Sequence, residues 1–146
     1  MRRFALLFVL AAGVAVSAEE KKEKKAESFD GTWIITSVDI GGMKLSEDDL
    51  KKTPGKITLA GDKWTLKIGD MVSAGTSKID TTKKPAELDS TTTEGMDKGK
   101  TLKGIIELKG DSMKVCFATS GTSRPKEFST KGQATYLLIE YKREKK

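Results

Sequence analysis

Residues 93–101, "TEGMDKGKT", place glycines, lysines and a threonine at nearly the spacing that cradles a phosphate. A phosphate-binding loop needs four residues between its glycines, so that its backbone N–H groups can curl around the anion. Gly95 and Gly99 have one too few between them, and the flanking pattern is that of a hairpin, so the stretch reads as a solvated loop. The carboxylate pairs Asp48–Asp49 and Glu94–Asp97 lack calcium-loop spacing and read as solvated charge. There is no histidine. Histidine-based triads, the usual zinc sites and the commonest general base near neutral pH are therefore missing. The lone cysteine, Cys116, reads as a small packing residue, with a reactive thiol as the alternative. The expectation is a non-enzymatic protein with no catalytic residue, no metal and no cofactor.

The elements that would position any other site are strands. "TWIITSVDI" is rich in β-branched and aromatic residues and ends at the turn pair Gly41-Gly42. In "KITLAGDKWTLKIGD", Ile57 and Leu59 alternate with polar residues, Gly61-Asp62 turns the chain, and Trp64, Leu66 and Ile68 alternate on the return. A period of two buries one face and wets the other. The same design recurs with Leu102, Gly104, Ile106 and Leu108, a turn at Gly110-Asp111, then Met113, Val115 and Phe117. "ATYLLIEYKR" puts Leu137, Ile139 and Tyr141 on one side. "VSAGTSKID" (72–80) and "AELDS" (86–90) are weaker strands about a turn at "TTKKP". "SEDDLKK" is the one helix signal, with Ser46 as cap, acids in the first turn and lysines in the last. About eight strands in hairpin order predict an all-β, eight-stranded antiparallel up-and-down barrel with one short helix. A two-sheet sandwich is the other solution.

Upstream, Arg2 and Arg3 precede the apolar run "FALLFVLAAGVAV", and "VSA" supplies small residues for cleavage after Ala18. Residues 1–18 thus read as a secretory signal peptide, and the run is short of the about 20 residues that span a bilayer. An uncleaved anchor is the alternative. The charged stretch 19–28 reads as a flexible linker, 29–143 as the barrel domain and 144–146 as a disordered tail. The protein is expected to be exported, periplasmic or extracellular, with no stable membrane insertion after cleavage. Leaving out Arg2 and Arg3, 25 basic residues face 21 acidic ones, a net of +4. These charges are interspersed and aromatics are few, which speaks against a nucleic-acid surface. A single cysteine allows no internal disulfide, so the core alone must hold the fold.

"GTW" at 31–33 resembles the Gly-x-Trp signature that opens the first strand of lipocalins. More of the chain resembles an uncharacterised family of small secreted lipocalin-like domains expanded in planctomycete bacteria. The motifs are "GTW", "GDKWTLK" (61–67), "KKPAELD" (83–89), "TEGMDKGKTLKGIIEL" (93–108), "GDSMKVCF" (110–117) and "RPKEF" (124–128). The resemblance implies that Trp33 plugs the closed base, with a basic residue after the last strand over its ring, Arg143 or else Lys142. It also implies that positions 77 and 106 are often aromatic. Ser77 and Ile106 stand here, so an interior that both faced would be roomier, or repacked.

Such a barrel can hold one small ligand or be filled by side chains. The first expectation is a small apolar or amphipathic ligand in the lumen. Its wall would come from Trp64, Leu66, Ile106, Met113, Val115, Phe117 and Tyr136, or from the opposite faces. Arg124, held extended by Pro125, would clamp a carboxylate at the mouth, or else serve as a structural ion pair or carbonyl cap. Phe128 is expected to anchor that loop. The second expectation is a filled barrel that acts through its loops on an envelope protein or as an inhibitor.

Overall fold

The computed structural model describes residues 28–120 and 123–145. The expected signal peptide, all but Ser28 of the charged linker, and Lys146 lie outside the described residues. The chain forms β1 (Gly31–Ile40), β2 (Met43–Lys44), α1 (Glu47–Lys52), β3 (Gly55–Ala60), β4 (Lys63–Ile68), β5 (Met71–Asp80), β6 (Ala86–Glu94), β7 (Thr101–Lys109), β8 (Ser112–Ala118) and β9 (Tyr136–Arg143). Each strand from β3 to β9 pairs with the next, and β9 pairs back onto β1, which also pairs with β3. The result is a closed eight-stranded antiparallel barrel of lipocalin-like form, with β2 outside it as a two-residue strand on the edge of β1. Closure leaves the barrel strands no free edge.

Alternation fixes what faces inward. Trp33 pairs with Ile57, Ile57 with Leu66, Leu88 with Gly104, Ile106 with Val115 and Val115 with Ile139. These registers line up the apolar face of each strand with that of its neighbour, and a one-residue slip would turn a whole face to water. The buried centre is Trp33, Leu88, Ile106, Met113, Val115 and Tyr141. On β4 the alternate residues Lys63, Thr65 and Lys67 are exposed.

Strand direction sorts the loops into two ends. The chain enters at Ser28, and the turns at Gly61-Asp62, 81–85 and Gly110-Asp111 join it at one end. The Gly41-Gly42 turn, α1, the turn at Gly69-Asp70, loop 95–100 and segment 119–135 gather at the other. α1 is a single capped turn: Ser46 Oγ accepts from Asp49 N at 3.1 Å, with Glu47, Asp48 and Asp49 in its first turn. At the chain's end Glu144, which the sequence reading puts in a loose tail, is tied down. Its N–H donates to Thr32 O at 2.8 Å and its carboxylate meets Lys56 Nζ at 2.6 Å.

Residues 123–130 of the connection between β8 and β9 lie over the outside of the barrel. Ile105 and Cys116 are cross-strand partners that face away from the lumen, yet they are only 2% and 0% exposed. They are covered because this segment returns over them: Arg124 bonds β6 and β7, and Ser129 lies at Cys116. Pro125 is fully buried, whereas Phe128 is half-buried. The proline therefore takes the anchoring place that the sequence suggests for Phe128.

Candidate functional site

At the entry end, Trp33 is fully buried. Arg143 Cζ stands 4.2 Å from its ring centroid, within the reach of a cation–π contact. The Trp33 Nε1–H donates to Phe29 O at 2.9 Å. Arg143 donates to Asp30 O at 2.7 Å and Ser28 O at 3.0 Å, and its Nε lies 3.5 Å from an Asp111 oxygen. One arginine thus ties the incoming chain, the last strand and the β7–β8 turn across an indole. Gly31 makes room for it, since a Cβ there would stand 3.0 Å from an Arg143 guanidinium nitrogen, and its φ of +129° suits glycine. Trp33 fills part of this end and is not part of the cavity wall, which Phe29, Gly61 and Lys63 of the same end join.

Above this seal the lumen contains a cavity of about 240 Å³. The structure brings together Trp64, Leu66, Ile106, Met113, Val115 and Phe117 in its wall, as the alternation of their strands requires. Ser77 and Ile106 both face it. Trp64 lies across Gly75, where a Cβ would come within 2.5 Å of the indole, and its Nε1–H donates to Thr76 O at 3.2 Å. The glycine lets the indole approach β5 more closely than any side chain there would allow.

Tyr136 does not join this wall, which corrects its placement, and Arg124 does not clamp the lumen but takes the alternative role of ion pair and carbonyl cap. Arg124 lies on the outer surface. It donates to Leu88 O at 3.0 Å and Gly104 O at 2.8 Å, and pairs with Asp89 at 2.7 Å. Glu87 stands 3.5 Å from its Nε. These bonds staple segment 119–135 to β6 and β7, so the guanidinium is spent on protein groups. Tyr136 has the opposite parity to Leu137, Ile139 and Tyr141. It pairs with Ala118 on the outer face.

Several wall residues escape a reading based on apolar periodicity. Ser73, Ser77, Ser90 and Thr92 line one side on β5 and β6, with Leu88 below them, and Tyr141 lines the floor. Tyr141 was visible in the sequence, because it shares the inward face of the last strand. The hydroxyl stripe carried a weaker signal, small residues at 73, 75 and 77 where a filled core would place large ones. The charged members of the wall, Lys63 and Asp97, are both exposed, and Asp97 is paired with Lys100 at 3.0 Å.

Cys116 lies outside the lumen, with Sγ 4.0 Å from Ser129 O, and burial pushes its thiol pKa up. A thiolate is the nucleophile, so Cys116 should resist a disulfide reagent in the native protein and react fully in denaturant. Rapid reaction of the folded protein would mean that segment 119–135 opens. Among the described residues no group of three His, Cys, Asp or Glu could hold a metal ion. No family model matches this sequence, and no curated protein matches it at a significant level.

Proposed function

We propose that this protein is a non-enzymatic, exported binding module that holds one small apolar or amphipathic molecule in the barrel. The observation that carries the reading is the apolar cavity in the lumen. A cavity of about 150 Å³ accommodates benzene, so 240 Å³ suits a molecule of roughly ten non-hydrogen atoms. Apolar walls with a few placed polar groups are the usual form of such sites. Calorimetric titration with one-ring aromatic compounds should give one site per chain with micromolar affinity and a negative heat-capacity change. Absence of heat across such a panel at two well-separated temperatures would refute the reading, since the heat-capacity change keeps the enthalpy from vanishing at both.

A second reading, an interaction or inhibitor module of the cell envelope, is favoured by a different observation. Ile40, Met43, Leu45, Met71, Val72 and Met96 are all exposed, and all lie at the end away from Trp33. Exposed apolar residues gathered at one end are a common mark of a contact surface. Met43→Lys combined with Met96→Lys separates the two readings. A binding module keeps its titration, whereas an interaction module loses its partner in pull-down.

A further inference from the structure

We propose that the lumen selects an uncharged ligand bearing a hydrogen-bond acceptor, such as a ketone, ester or ether, and that the Tyr141 hydroxyl donates to it. The inference rests on the lumen being a ligand site. Tyr141 is 5% exposed and pairs with Ile35 and Met113, just above the Trp33–Arg143 seal. Burial pushes its phenol pKa up, and among the described residues no hydrogen bond opposes that shift. The hydroxyl therefore keeps its proton throughout the physiological range. Among the described residues no sealed side-chain nitrogen or oxygen lacks a hydrogen-bond partner. Tyr141 shares the inward face of β9 with Leu137 and Ile139 and lines the cavity, so its hydroxyl is placed to meet an occupant. Buried polar groups are normally satisfied, so a donor held at this depth fits an acceptor supplied by the occupant.

The rest of the wall decides against charge. Among the described residues its one cation is Lys63, which is exposed, and the buried part of the wall contains neither lysine nor arginine. A carboxylate drawn down to Tyr141 would give up its water without gaining a counter-ion. The hydroxyls of Ser73, Ser77, Ser90 and Thr92 can each donate or accept by rotating, so they tolerate further polar atoms without selecting among them. The acceptor end should then lie deep, with the apolar part toward Leu66 and Phe117.

Acetophenone, isopropylbenzene and benzoate have similar shape and size, and differ in whether they carry an acceptor, neither acceptor nor charge, or a charge. Calorimetric titration of the wild type and Tyr141→Phe with each separates the terms. Acetophenone should bind the wild type at least tenfold more tightly than benzoate, and Tyr141→Phe should weaken acetophenone about tenfold while sparing isopropylbenzene. The variant removes an oxygen that no protein group meets, so its melting temperature should not fall. If acetophenone binds both proteins alike, or benzoate matches it, the lumen is a ligand site but the assignment of Tyr141 is overturned. If none of the three binds, the ligand-site reading fails and takes this inference with it.

Discussion

Trp33→Ala should destabilise the protein by about 3–5 kcal/mol in urea denaturation, the range for truncating a large buried aromatic side chain. Native domains are stable by only about 5–15 kcal/mol in total, so the variant should be close to unfolding at 37 °C. The effect is expected to be large because the indole is fully buried and several tethers converge on it. Removing it leaves a void at the base, takes away the face that Arg143 covers at 4.2 Å, and frees Phe29 O from its donor. Arg143→Ala should cost less, about 1–3 kcal/mol, because its head is partly exposed and water can replace some of its bonds. A loss below about 1 kcal/mol for Trp33→Ala would mean that the base is closed by other residues.

Ser77→Phe should abolish binding in the lumen while leaving the barrel folded. Ser77 faces the cavity beside its cross-strand partner Ser90. One benzene needs a cavity of about 150 Å³, so an added phenyl ring would take up more than half of the 240 Å³ present. Overpacking normally costs about 1–3 kcal/mol because the core has no room. Here the room exists, and the ring exchanges open volume for apolar contact, so the melting temperature should hold or rise. Affinity for acetophenone should fall at least a hundredfold by calorimetry. Unchanged affinity would place the ligand elsewhere, and a collapse in stability would mean that the lumen is already filled.

The barrel was legible in the sequence because its evidence is repetitive. Period-two alternation in "KITLAGDKWTLKIGD" and in 102–117 fixed the inward face, and the glycine turns fixed the hairpins. Those same faces supplied the wall from Trp64 to Phe117. Tyr136 was misplaced through a lapse in parity, since the alternation that put Leu137, Ile139 and Tyr141 inside puts Tyr136 outside. Arg124 takes the second of its two expected roles, ion pair and carbonyl cap, and not the clamp at the mouth. Segment 119–135 has no periodicity, and its course over the outer face depends on long-range bonds to Leu88 O, Gly104 O and Asp89. A local reading of "RPKEF" could foresee an extended, anchored arginine but not the surface on which it lands. The cavity itself was the least legible feature. Open volume depends on the small residues Ser73, Gly75 and Ser77 of β5 lying beside Ser90 and Thr92 of β6, which requires the registers as well as the pattern.

The two ends of the barrel divide the work. Trp33 and Arg143 lock the first strand to the last at the base, below Tyr141. The hydroxyl stripe of β5 and β6 rises from there toward the loops at the other end. The stapling by Arg124 holds the outer wall of β6 and β7 without intruding on the lumen.

The most direct test is a crystal structure of the protein purified from its native source. It should show electron density for one compact small molecule between Leu66, Ile106 and Phe117, with an acceptor atom within hydrogen-bond distance of Tyr141 Oη. A lumen closed by its own side chains, with Trp64 or Phe117 turned across the centre and no space left, would contradict it.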